Sequence, residues 1–414
     1  MTIFHGMKTY QLTYSELFQD LHQAYYDARR HKSKKPYVMK FEARLEHNLS
    51  ELCLELWTRT YKPCPSTCFI ICDPKKREVF AAEFRDRIVH HLYYNYTHMM
   101  LERTFITDSY SCIKGRGTHY GIKRMEHHIR QESQNYQETC YVMKMDICGY
   151  FMHINRKRLL EICVRRLTKM ARHRISRESV TTWQERVDMD FVFYLTREIV
   201  MLNPVIDCRV RGSEGNWQDL PHDKSLFNSD EECGLPIGNL TSQLFSNVYL
   251  GELDDYMKRV LRCRHYGRYV DDFYVVSADK EWLRSLVTKI ETFLSSQLGL
   301  TLHAGKLKIL DVWQGVEFLG AYLKPWRRYV SNTCLHRMKR KLHALNESVS
   351  SCQSESRQET FLRLRPSLNS FLGVLSHYRS KTLRAQLMCS MSCFSRYGTF
   401  DEDVLHYCPL VCSC

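Results

Sequence analysis

Long apolar runs are missing from this chain: nowhere do about 18 consecutive apolar residues occur, so no membrane-spanning helix is expected. The amino-terminal stretch MTIFHGMKTYQLTYSELF has no basic segment leading into an uninterrupted apolar core, as a secretory leader would. A cytoplasmic location with reduced thiols is therefore the expectation. The 18 cysteines fall at irregular spacings that fit no disulfide framework. Cys408, Cys412 and Cys414 lack a matched second knuckle, which argues against a structural zinc. No internal repeat is visible. Negative charge is the scarcer sign: 46 Asp and Glu face 60 Lys and Arg, a net +14 that calls for a polyanionic partner. With 414 residues and 44% hydrophobic composition, the chain can bury a sizeable core in two to three lobes.

What is present is concentrated in HYGRYVDDFYVVS, residues 265–277. Two aromatic-rich half-strands, 265–270 and 273–276, flank Asp271 and Asp272, a pattern that reads as a β-hairpin with two aspartates at its tip. Side chains alternate along a strand, so neighbouring acids face one ligand only where the backbone turns. Like charges there repel, and a cation neutralises them. Hard carboxylate oxygens suit Mg²⁺, which completes its shell with water and substrate phosphates. Standing alone, the pair also reads as a solvated turn. YVMKMD, residues 141–146, is a buried-strand pattern ending in Asp146, a natural third ligand if the two strands lie side by side. Upstream, 67–72 and 77–81 read as a hairpin around Asp73-Pro74-Lys75-Lys76. Its basic tip can close over a triphosphate, with Arg77 placed there for the planar, bidentate fit of guanidinium to phosphate; surface charge is the alternative.

The remaining elements follow from periodicity. A helix capped by Ser15 carries Leu17, Leu21, Tyr25 and Ala28. Others are expected over 39–57, 84–101, 159–172 and 280–298. Residues 203–233 have little periodicity and read as an insertion or long loop. GLPIGNLTSQLFSNVYLG, 234–251, begins as a turn and passes into a helix. Gly238, Asn239, Ser242 and Gln243 at its start would let a nucleic-acid strand or base pair pack against the backbone. Between 323 and 399, 14 Lys and Arg face 3 acids, with aromatics interleaved. Helical blocks at 332–345 and 359–387 flank a flexible link, 346–358. This tail could follow a nucleic-acid backbone or be a solvated basic face.

PKKREV, FRDRIVHH, DSYSCIKGRGTH, YVMKMDICGYF, GLPIGNLTSQLFSN, RYVDDF, GKLKI and GVEFLGAYL occur in the order of the reverse transcriptase blocks of fingers and palm. Over roughly residues 60–323 the chain resembles that family. Group II intron and retroviral enzymes have Gln-Gly before the helix at 240; here Ile237-Gly238-Asn239-Leu240-Thr241-Ser242-Gln243 is similar to the reverse transcriptases of diversity-generating retroelements. The amino-terminal helices, LPHDKSLF and SFLGVLSHYRS are similar to that branch as well.

The resemblance implies an α+β right-hand polymerase: fingers, a palm with an antiparallel sheet, and a helical thumb. Residues 1–145 would supply the N-terminal helices and fingers, 146–324 the palm with an insertion near 203–233, and 325–414 the thumb and tail. Asp146 and Asp271 match the metal ligands and Asp272 the third carboxylate, around two Mg²⁺ ions for which Mn²⁺ could substitute. Phe151 matches the aromatic gate under the sugar 2′ position. Arg77 matches the fingers residue on the triphosphate, and Lys306 the lysine that protonates pyrophosphate, with Lys75, Lys76 and Lys308 as competing neighbours. Ile237, Gly238 and Gln243 lie in the block linked to poor discrimination opposite template adenines. The implied partners are a template-repeat RNA, the RNA–DNA heteroduplex, dNTPs and a small basic accessory protein, with no membrane. Rival readings are a retron- or group II intron-like enzyme and a non-catalytic RNA-binding scaffold. An intron enzyme's maturase region after the thumb, or an RNase H domain, is not expected within these 414 residues. Against the scaffold, buried unpaired acids are costly without a metal.

Overall fold

The computed structural model describes residues 10–73, 75–176, 178–350, 357–389 and 392–409. Three helices come first: α1 (Tyr14–Arg29), α2 (Pro36–Glu42) and α3 (Leu45–Trp57). Thr13, not Ser15, caps α1; its hydroxyl accepts from the Glu16 N–H while the Glu16 carboxylate accepts from the Thr13 N–H at 2.9 Å, a reciprocal box. The single helix expected over 39–57 is two. Pro36 starts α2 at a position that needs no N–H, and Arg44 leaves helical geometry at φ −138° before α3 begins.

The chain continues through β1 (Ser66–Ile71), β2 (Arg77–Ala81), α4 (Phe84–Glu102), α5 (Thr118–Glu132) and β3 (Tyr141–Met145). Next come α6 (Tyr150–His153), α7 (Arg156–Ala171), α8 (Met189–Val200), β4 (Cys208–Val210) and α9 (Leu240–Asp255). The hairpin strands β5 (His265–Tyr269) and β6 (Asp272–Ser277) follow, then α10 (Lys280–Phe293), β7 (Lys308–Asp311), β8 (Val316–Phe318), β9 (Ala321–Lys324) and β10 (Arg327–Val330). The last elements are α11 (Asn332–Ser350), α12 (Arg357–Ser376), α13 (Lys381–Cys389), β11 (Gly398–Phe400) and β12 (Tyr407–Pro409). Helix α7 starts earlier than expected because Asn155 caps it, accepting from the Arg158 N–H at 2.9 Å. The 203–233 region is not a bare loop: it contains β4 and three 3₁₀ turns. Helix α11 runs on to Ser350, into the expected link, of which 351–356 lies outside the described residues.

Among the described residues the strands form four sheets, in the orders β2-β1-β4, β5-β6-β3-β7, β10-β9-β8 and β11-β12. In the first, β1 pairs antiparallel with β2, Thr67 facing Ala81, and parallel with β4, Ser66 facing Cys208.

Two compact units result. The first comprises residues 1–121, 143–275 and 281–308. Its α4 packs against α1, α7, α8 and α9, burying Leu21, Leu92, Leu195 and Val248. The second comprises 122–142, 276–280 and 309–414. Its core joins α11, α12 and α13 through Leu342, Leu364, Leu368, Leu372, Leu375 and Leu387. Within it Arg328 pairs with Glu126, and Glu132 accepts from the Ala278 N–H at 2.8 Å. Among the described residues no helix is long and apolar enough to cross a membrane. Their cysteines are free thiols. Cys408 lies in β12, whereas Cys412 and Cys414 fall outside the described residues.

Candidate active site

The β5–β6 hairpin forms, but its turn is Val270-Asp271, and Asp272 is already the first residue of β6. The two acids are therefore not both at the tip. Val270 takes φ +56°, a left-handed conformation that is costly for a β-branched residue, and this bends the backbone where Asp271 stands. The turn is held from behind by Arg268. Its side chain is 0% exposed, and its guanidinium donates to Asp254 Oδ1 at 2.8 Å, Asp254 Oδ2 at 2.6 Å and the Val270 carbonyl at 3.0 Å. Tyr266 donates to Asp254 Oδ1 at 2.7 Å, closing a buried polar network. Burial alone would lower the Arg268 pKa, but the Asp254 carboxylate outweighs it and holds the guanidinium above its ordinary value.

Strand β3 lies beside β6 in the sheet, and Asp146 follows its last residue. Lys306 Nζ donates to Asp146 Oδ2 at 2.7 Å, and the Asp146 carbonyl accepts from the His303 N–H at 2.8 Å. The other carboxylate oxygen, Oδ1, is buried with no hydrogen-bond partner. Lys144 Nζ lies 3.9 Å from Asp272 Oδ2. Burial, then the nearby Asp146 charge, pushes the Asp271 carboxyl up. Burial is also the main cause for Asp272, pushed up to about 6; Lys144 opposes this and the other two acids add to it. Lys306 moves upward although burial works against it, because it is bonded to Asp146 and feels all three carboxylates.

Sequence reasoning named these three acids and Lys306, and missed Lys144. The signal was present: Lys144 lies in β3 two residues before Asp146, the spacing that puts side chains of an extended segment on one face. Among the described residues no three His, Cys, Asp or Glu side chains form a ready-made metal cage. The donors nevertheless fit a hard divalent cation. They are all oxygens, one buried oxygen is unpartnered, and burial and mutual repulsion raise the pKa values of Asp271 and Asp272.

Phe151 follows Tyr150 in α6, and Tyr150 is anchored by its hydroxyl to the Ser246 carbonyl at 2.7 Å. Phe151 and Ile237 pack on one apolar cluster with Cys68, Phe80, Met152 and Leu226. Gly238, at φ +129°, runs against β2: an added Cβ would lie 2.9 Å from Val79 Cγ1 and 3.0 Å from the Phe80 carbonyl. Its glycine is thus required by a neighbour within the chain. Gln243 is exposed on the first turn of α9, outside the Phe151 cluster. Arg77 opens β2, exposed, and its positive charge reaches Asp271. Of its competitors, Lys76 is engaged with the Gln218 carbonyl, while Lys75 and Lys308 are exposed.

A reverse transcriptase (RNA-dependent DNA polymerase) family profile matches residues 74–323. Protein YkfC of Escherichia coli (strain K12) is 25% identical over 313 residues, 67% of this chain and 72% of that protein. Among solved structures, the chain is similar to apo telomerase from Candida tropicalis truncated from its C-terminal domain, with a TM-score of 0.45 and 12% identity over 67% of this chain and 58% of that one. It is also similar to telomerase from Candida albicans in complex with a TWJ fragment of telomeric RNA, with a TM-score of 0.44 and 9% identity over 84% of this chain and 64% of that one. The chain thus spans less than two thirds of those telomerase chains.

Proposed function

The chain belongs to the reverse transcriptase (RNA-dependent DNA polymerase) family, and on that premise we propose that it copies a template-repeat RNA into cDNA within a diversity-generating retroelement, with errors concentrated opposite template adenines. It is an RNA-directed DNA polymerase with the α+β right-hand fold. We assign residues 1–145 to the N-terminal helices and fingers, 146–324 to the palm and 325–414 to the thumb and tail. A small basic accessory protein is the expected partner, and the free thiols suit a reducing, cytoplasmic compartment.

One observation carries the catalytic reading: Asp146, with a buried unpartnered oxygen, ends the strand beside the hairpin that bears Asp271 and Asp272. These three would hold the divalent cations, Mg²⁺ with Mn²⁺ as a substitute. Bound there, a pair of ions supplies charge stabilisation at the attacking 3′-hydroxyl and the leaving pyrophosphate. The chain's own residues do the rest by position and electrostatics. Arg77 binds the triphosphate. Phe151 closes the space a ribose 2′-hydroxyl would need. Lys306 keeps a proton on Nζ beside Asp146, available to the departing pyrophosphate. Ile237, Gly238 and Gln243 shape the contact with the template–nucleotide pair. Primer extension by the full chain on an RNA template with Mg²⁺ tests this: synthesis is expected, and Asp271→Asn abolishes it. Equal background in both proteins would leave the scaffold reading instead. Sequenced cDNA should carry its errors opposite adenine, and a flat spectrum would point to an ordinary bacterial reverse transcriptase.

A further inference from the structure

The inserted segment 203–233 is clipped into the chain at both ends. At the fingers end, β4 extends the β2-β1 sheet, and the Arg211 N–H donates to the Cys68 carbonyl at 2.8 Å. The clip there is Glu78, a carboxylate only 1% exposed on β2. Its Oε1 accepts from Trp217 Nε1 and from Ser225 Oγ, each at 2.8 Å, and its Oε2 accepts from the Leu226 N–H at 2.7 Å. At the other end Arg156, 5% exposed, donates to the carbonyls of Glu231, Cys233 and Gly234. Just beyond, the Leu235 N–H donates to the Phe151 carbonyl at 2.8 Å.

Between the clips the segment turns apolar side chains inward. Leu226 is in the buried cluster with Cys68, Phe80 and Met152, and Trp217, Phe151 and Ile237 pack on that same cluster. Glu78 and Phe80 stand two residues apart on β2 and so share a face, which presents the clip and the cluster together. A carboxylate with three donors converging on it, each near 2.8 Å, fixes the segment in one register; a surface loop needs no such fastening.

We propose that segment 203–233 is a specificity-determining wall of the nucleotide pocket, with Glu78 as its positioning residue, acting through Trp217 and Leu226 on Phe151 and Ile237. This rests on the reading of Phe151 as the residue that excludes ribose. The wall stops Phe151 from retreating when a 2′-hydroxyl presses on it, so discrimination between deoxyribo- and ribonucleotides depends on a carboxylate remote from the sugar.

The test is steady-state primer extension by the full chain with a matched dNTP and its rNTP, read as the ratio of their kcat/KM values. Glu78→Gln keeps the shape but turns an NH₂ toward a donor, Leu226 N–H in one orientation or Trp217 and Ser225 in the other. Trp217→Phe removes one donor, leaves the carboxylate in place and carries the test if Glu78→Gln fails to fold. Phe151→Val tests the underlying reading. The expected result is a ratio that collapses in Phe151→Val and falls roughly ten-fold in both other variants. A collapse in Phe151→Val with an unchanged ratio in the other two, even where both nucleotides are used more slowly, overturns the wall and leaves the gate standing. An unchanged ratio in Phe151→Val overturns both.

Discussion

Arg268→Lys is the perturbation that reads the hairpin most directly, because it keeps the buried charge and removes only the planar fork. In the wild type the fork spans both Asp254 oxygens, at 2.8 and 2.6 Å, and reaches the Val270 carbonyl at 3.0 Å, Asn247 Oδ1 at 3.3 Å and Ser109 Oγ at 3.3 Å. A single ammonium can keep one Asp254 contact and cannot also serve the Val270 carbonyl. Losing one charge-assisted bond and leaving a buried acceptor short should cost about 2–4 kcal/mol of stability. Arg268→Met, which strands the Asp254 carboxylate without its cation, should lie lower still. The second effect is on rate. A β-branched residue at φ +56° holds about 1–2 kcal/mol of backbone strain, and the bond to its carbonyl restrains the turn. Once released, Val270 relaxes and moves Asp271, and a displacement near 1 Å at a reacting centre costs on the order of 100-fold in rate. Urea unfolding gives the first quantity. Single-turnover primer extension with saturating dNTP, at a temperature where the variant remains folded, gives the second. An unchanged urea midpoint together with a rate within two-fold of wild type would refute the claim that Arg268 positions the turn.

Two further perturbations test the scaffold. His90 is buried, shares a 2.8 Å hydrogen bond with Thr241 Oγ1, and is pushed down to about 3 by burial. Its stabilising contribution is present above its unfolded value of 6.5 and is lost as pH falls from there toward 3, at up to about 1.4 kcal/mol per pH unit. Asp86, held by Tyr61 and the Cys64 N–H but pushed up to about 6 by burial, acts in the opposite sense: its contribution is full below 3.8 and is lost as pH rises through 6. The two slopes oppose each other between about pH 4 and 6, so His90→Asn should gain on wild type as the buffer is acidified; parallel urea-stability curves would contradict this. Gly267 on β5 lies under the Tyr110–Tyr274 hydroxyl pair, and an added Cβ would fall within 2.2 Å of one hydroxyl and 2.7 Å of the other. Gly267→Ala should lower the unfolding free energy by about 2 kcal/mol, with part recovered by Tyr110→Phe in the same chain; equal stability of Gly267→Ala and wild type would show that the pair gives way freely.

The acids were legible because each stands where an apolar strand pattern stops, and alternation alone places Lys144 with Asp146. Arg268 was not, since its partner Asp254 belongs to another element and nothing local marks the residue as buried. The conformation of Val270 contradicts its β-branched preference and is imposed by the surrounding contacts. Glu78 was equally silent, because Ser225 and Leu226, which it binds, lie almost 150 residues further on. Helices α5 and α8 were passed over. THYGIKRMEHHIRQE is mostly polar, with its apolar stripe reduced to Ile122, Met125 and Ile129, and α8 follows a stretch with little periodicity. The break between α2 and α3 falls at Ala43-Arg44, where no glycine or proline announces it.

The second unit draws on three separate stretches of chain, and this governs the order in which it can assemble. During synthesis Glu126 leaves the ribosome long before Arg328, the residue it pairs with, and 276–280 emerges in the interval. Until residues beyond 309 have been made, the early pieces lack Arg328 and the α11–α13 core. A fragment cut before 309 therefore lacks most of the unit while still carrying two of its parts, so domain dissection of this polymerase should keep all three stretches in one polypeptide.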